Sequence, residues 1–119
     1  PIDILINNAG VWGGLDTQTF QNMDYDNWAH ELNIMAMGPF RVIQAFMPNV
    51  LAGTDRKIVT ISSQTGAHAY DHLIGYSYAS AKAAVNRLMT GLGTDNITNP
   101  PPDIIASEKT TMLASSFTN

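Results

Sequence analysis

The chain opens on a short, largely β-branched apolar run, Ile2, Ile4, Leu5 and Ile6, interrupted only by Asp3. Asn7, Asn8, Ala9 and Gly10 follow, then Gly13 and Gly14. An apolar run of this length, stopped by Asn and Gly, predicts a strand over residues 2–6 buried on both faces. Asp24 or Asp26 is placed to cap the next element. Over residues 28–51, Trp28, Leu32, Met35, Ala36, Ile43, Met47 and Val50 recur at helical spacing, which predicts a long helix. Gly38 and Pro39 predict a kink or a split in it, because proline has no N–H to donate. Residues 57–61 (Lys, Ile, Val, Thr, Ile) form a second strand candidate that ends at Ser62 and Ser63. Residues 64–75 read as loop. Residues 76–92 read as a second helix, rich in Ala and without interior Gly or Pro before Gly91.

The order is strand, long helix, strand, helix. Two short strands joined by a helical crossover make a βαβ unit, hence a parallel pair with a right-handed connection. In open parallel sheets, ligands sit beyond the carboxyl ends of the strands. Those ends are residues 7–10 and 62–66, the stretches richest in small and polar side chains. After Asn99 the pattern fades. Pro100, Pro101 and Pro102 stop any helix, and the last 14 residues hold six Ser or Thr with little periodicity. The chain therefore divides into an ordered region over 1–98 and a poorly specified tail over 99–119.

Composition narrows the function classes. Of 119 residues, 45% are apolar and only 13% charged, about half the usual charged share. That is enough for a core, and it leaves few charges for the outside. The net charge of −4, with three Lys and three Arg scattered singly, argues against a nucleic-acid groove or a membrane-surface helix. No apolar run approaches the roughly 20 residues needed to span a bilayer. Zero cysteines exclude a disulfide scaffold and any thiolate metal site. The chain begins at Pro1 and is almost at once strand-like, which leads to the expectation of a partial chain with no signal peptide and a cytoplasmic location.

The chemistry lies on the second helix. Tyr78 and Lys82 are four positions apart, which on a helix is about 6 Å along the axis and about 40° around it. A phenol and an amine so placed can converge on one small ligand. A free tyrosine ionises near pH 10, so a phenol acting as a base near neutrality needs about 4 kcal/mol of preferential stabilisation of phenolate. A neighbouring ammonium supplies that kind of stabilisation. The spacing alone also fits a packed Tyr beside an exposed Lys. Ser63 adds a hydroxyl at the carboxyl end of the second strand, with Ser62 as its competitor. Small residues at 7–10 permit close backbone approach to a cofactor. Asn33, inside the long helix, must find a partner for its amide or bond to water. Tyr76 competes with Tyr78, but four positions on from it stands Ser80, not Lys.

These residues in this order (Asn7, Asn8, Ala9, Gly10; Asn33; Ile61, Ser62, Ser63; Tyr78 and Lys82) resemble the short-chain dehydrogenase/reductase family. The run from Tyr76 to Asn86 is similar to its C-factor and sniffer-like carbonyl reductase subgroup. The resemblance covers about residues 2–93. It implies an α/β fold: a Rossmann-like parallel sheet with flanking helices, present here as a βαβα core without the N-terminal half. It implies an NAD(P)-dependent oxidoreductase that interconverts a small-molecule carbonyl and alcohol by hydride transfer, with NADP or NAD as cofactor. By resemblance Tyr78 is the catalytic acid/base, Lys82 lowers its pKa and bonds the nicotinamide ribose, and Ser63 orients the carbonyl. Asn33 holds a water that links Lys82 to solvent. Asn7, Ala9, Gly10, Tyr78 and Lys82 border the cofactor. Homo-oligomerisation through the two long helices is also implied.

Three departures stand against the family pattern. No Gly-x-x-x-Gly-x-Gly phosphate loop occurs in the sequence, although such a loop and its helix hold the pyrophosphate. Residues 99–119 lack the strand and Pro-Gly pair that the family places next, and residues 103–106 look too short to replace it. Ser63 and Tyr78 are 15 positions apart, slightly more than usual, and His68, Tyr70, Asp71 and His72 lie in that enlarged loop. His68 and His72 have metal-ligand spacing, but they precede the helix and want a third ligand, so no metal site is expected. Asn96 and Thr98 complete a formal glycosylation triplet with no sign of secretion. The rival to the enzyme reading is a truncated, non-catalytic interaction or dimerisation module, or an inactive fragment.

Overall fold

The computed structural model describes residues 1–67, 75–95, 100–107 and 114–115. The sheet holds β1 (Ile4–Asn7), β2 (Lys57–Ile61), β3 (Asp103–Ser107) and β4 (Ala114–Ser115), in that spatial order. β1 pairs with β2 and β2 with β3, both in parallel, while β4 runs antiparallel to β3. Leu5, Ile58 and Ile104 stand in register across the first three strands. The expected βαβα core and parallel sheet are present, flanked by α1 (Tyr25–Leu32), α2 (Gly38–Leu51) and α3 (Tyr76–Thr94).

The core lies on one face of the sheet. Ile58, Ile104 and Ala106 pack there with Ile43 and Val50 of α2 and with Val85, Met89 and Leu92 of α3, and Leu5 joins them from β1. Alternation along each strand sends the remaining side chains to the opposite face. There Ile4 and Ile6 are each 45% exposed. This corrects the expectation that the first strand is buried on both faces. A continuous apolar run cannot tell two covered faces from one; among the described residues the face opposite the core leaves Ile4 and Ile6 open, although Val59 of β2 is buried.

The long helix breaks where the sequence predicts, by a mechanism that spacing does not show. Asp24 provides the cap, its carboxylate accepting from the Asn27 N–H at 3.1 Å. Between α1 and α2 the chain makes a wide π turn over Asn33–Met37, and the Gly38 N–H reaches back five residues to the Asn33 carbonyl. Pro39 brings no N–H to the ladder, and the widened turn keeps the helix running past it. The tail differs most from expectation. Residues 103–107, read from sequence as part of a poorly specified segment, form β3, with Ile104 and Ala106 buried in the core. Its place is tied by the Arg56 guanidinium, which donates to the Pro100 carbonyl at 2.7 Å, and by the Asp103 N–H, which donates to the Arg56 carbonyl.

Candidate active site

The carboxyl ends of β1 and β2 meet α3 at Lys82. Lys82 is 4% exposed, and its ammonium donates to the Ile61 carbonyl at 3.1 Å. Its Nζ lies 5.7 Å from the centre of the Tyr78 ring, within reach of a cation–π attraction. Burial pushes the lysine pKa down, because an ammonium out of water loses hydration that its neutral form does not need. Tyr78 is half-buried. The helical spacing thus sets the Lys82 amine over the Tyr78 ring.

Two glycines lie beside this lysine, Gly10 at ordinary contact distance and Gly66 much closer. A side chain on Gly10 would come within 3.9 Å of Lys82 Nζ and 3.7 Å of Met35 Sδ. The segment after β1, the π turn and α3 therefore converge on one point. On the β2 side, Ser63 begins a single 3₁₀ turn over Gln64–Gly66, its Oγ accepting from the Thr65 N–H at 3.3 Å and the Thr65 hydroxyl at 3.0 Å. Gly66 closes that turn against the backbone of α3 at Lys82 and Ala83. Ser63 thus stands between two points, Ile61 and Gly66, that both touch Lys82. Ser62, the competing hydroxyl, is buried and donates to the Asn86 carboxamide oxygen.

Asn33 sits at the first position of the π turn and is exposed. Its carboxamide oxygen accepts from Arg41 Nη2 at 2.8 Å, and the same nitrogen reaches its carbonyl at 3.2 Å. The sequence reading did not include Arg41, although eight positions from Asn33 is two helical turns on the same side. Asn7, Asn8 and Ala9 line a cleft of about 480 Å³ with Asn33 and Arg41. The side-chain nitrogen of Asn7 is buried with no hydrogen-bond partner among the described residues. A buried donor of this kind calls for a partner beyond those residues. Sequence reasoning also missed Gln18 and Glu31, both fully buried beside the first turn of α3. A Gln and a Glu carry no motif, and only tertiary contact reveals them. His68, Tyr70, Asp71, His72 and the triplet at 96–98 lie outside the described residues. No group of three or more His, Asp or Glu suited to a metal occurs among the described residues.

Comparison with known proteins places the chain in a family. The family model for short chain dehydrogenases matches residues 1–99, and the chain belongs to that family. It is 36% identical over 99 residues to the C-signal protein of Myxococcus xanthus, covering 80% of this chain and 57% of that one. Among solved structures it resembles the RhlG/NADP active-site complex of Pseudomonas aeruginosa, with a TM-score of 0.68 and 25% identity over 77% of this chain and 36% of the other. It also resembles a gluconate 5-dehydrogenase of Burkholderia cenocepacia in complex with NADP and tartrate, with a TM-score of 0.63 and 29% identity over 80% of this chain and 35% of the other. The chain spans about three-fifths of the length of the C-signal protein and about a third of these two structures. Among the described residues no helix is long and apolar enough to cross a membrane.

Proposed function

We propose that this chain carries the proton-transfer half of an NAD(P)-dependent oxidoreductase acting on a small carbonyl or alcohol. The observation that carries the reading is the buried Lys82 ammonium, held by the Ile61 carbonyl and set 5.7 Å from the Tyr78 ring. A nicotinamide, when bound, supplies the hydride and its acceptor. The residues of this chain supply the rest. Tyr78 gives a proton to the substrate oxygen in reduction and takes one in oxidation. The Ser63 hydroxyl donates to the same substrate oxygen. Asn33 supports a water that returns the proton from Lys82 to solvent. Asn7, Ala9, Gly10 and Lys82, gathered at the carboxyl ends of β1 and β2, are the residues for the nicotinamide ribose end of the cofactor. A glycine-rich loop of the kind that holds a pyrophosphate is not among these 119 residues.

The reading includes self-association through the outer faces of α2 and α3, where Phe46 is 43% exposed, and a cytoplasmic setting. The proton-transfer reading is tested by Tyr78→Phe in the protein. Turnover should fall by about 10²–10⁴-fold while NADPH fluorescence still reports binding. Unchanged turnover refutes the reading.

A further inference from the structure

We propose that Gln18 is a positioning residue for Tyr78, held in place by the buried carboxylate of Glu31. This rests on the acid/base reading of Tyr78.

The first turn of a helix exposes four N–H groups without partners in the helix. The residue before α3 is Gly75, which has no side chain to cap them. Gln18 supplies the cap from 60 positions away. Its backbone carbonyl accepts from the Tyr76 N–H at 3.1 Å, and its side-chain Oε1 accepts from the N–H of Tyr78 itself at 2.9 Å. The turn that aims the phenol is therefore hung on one glutamine. Gly75 is what admits it: at φ 130° the backbone there suits glycine, and a Cβ would lie 2.2 Å from Gln18 Oε1.

Gln18 is itself clamped. Its Nε2 donates to the Gly14 carbonyl at 3.1 Å and to Glu31 Oε2 at 3.5 Å. Glu31 is fully buried, and its other oxygen accepts from Asn27 Nδ2 at 2.8 Å and from the Ser77 hydroxyl. The network thus joins α1, the loop before it and the first turn of α3. None of these groups faces Lys82 as a partner. Their action on the site passes through the position of Tyr78.

The test uses Gln18→Met, which keeps the volume and loses all three side-chain bonds, and Ser77→Ala, which removes one donor from Glu31. Two readouts are taken in the protein: the pH profile of kcat for alcohol oxidation, and the ring-carbon NMR signal of Tyr78, assigned by its loss in Tyr78→Phe. With the phenol less firmly set beside the amine, Gln18→Met should move the rising limb of the profile up by about one pH unit and lower kcat about tenfold, with KM little changed. The Tyr78 ring signal should shift. Ser77→Ala should move both in the same direction by less, and it decides the question alone if Gln18→Met does not fold. A residue that only supports the fold would lower the melting temperature and leave the profile and the ring signal unmoved. That result in a folded variant overturns the proposal. If Tyr78→Phe retains turnover, the acid/base reading fails separately, and the ring signal still decides whether Gln18 positions Tyr78.

Discussion

Gly66 lies so close to Lys82 that a Cβ on it would come within 2.7 Å of the Lys82 carbonyl carbon and 2.9 Å of its Cβ. No flexible side-chain tip is there to give way; the obstacle is the backbone of a helix. Gly66→Ala should therefore push the Ser63 turn away from α3. Overpacking of this kind costs about 1–3 kcal/mol, to be read from urea unfolding. A displacement of about 1 Å at the serine should lower turnover by up to about 10²-fold. Wild-type stability and turnover in the variant would contradict the docking of this turn on the helix.

Lys82 links stability to pH. Burial holds its pKa below the ordinary lysine value of 10.5. Below the depressed folded value both states carry the proton, and folding bears the full cost of burying the charge. Between that value and 10.5 the unfolded chain holds the proton more often, so stability climbs as pH rises. Above 10.5 the climb ends. Lys82→Met should flatten this alkaline slope and leave stability at neutral pH equal or higher, while turnover falls by about 10²–10⁴-fold. Denaturant titrations across pH check the slope; the same slope in the variant would assign it to another group.

Trp28 joins α1 to α3 through its indole N–H, which donates to the Ser80 hydroxyl at 2.9 Å. Trp28→Phe keeps most of the ring and loses the bond. Stability should drop by about 0.5–1.5 kcal/mol, measured by thermal or urea unfolding.

Arg41 and Asn33 form an exposed pair across the π turn. Arg41→Met should change stability by less than about 1 kcal/mol, since both groups are open to water. Asn33→Ala should lower turnover about tenfold or more if its amide or its turn supports the proton path. The stability changes of the two single variants should be non-additive in a double variant, which urea unfolding would show.

Much of this site could be read from the sequence because its parts are local. Tyr78 and Lys82 meet by helical spacing alone, and Ser63 follows from the end of a strand whose limits, residues 57–61, match β2. The pieces that escaped are those set by contact between distant segments. Gln18 caps a helix 60 positions away, and no periodicity marks it. β3 was obscured by the prolines before it and by its short length; its two buried residues, Ile104 and Ala106, gain their place from register against β2. The exposure of Ile4 and Ile6 depends on which face the helices take, and a single strand does not encode that choice.

Strand β1 stands at the border of the sheet, with β2 on one side and no strand on the other among the described residues. A bare ribbon margin that also presents isoleucine is adhesive, since its amides are unpaired and its side chains gain by leaving water. Such a margin can accept a further extended segment, from its own polypeptide or from a neighbouring molecule. The melting temperature of these 119 residues taken alone should then rise with concentration, and lysine at positions 4 and 6 should abolish that rise.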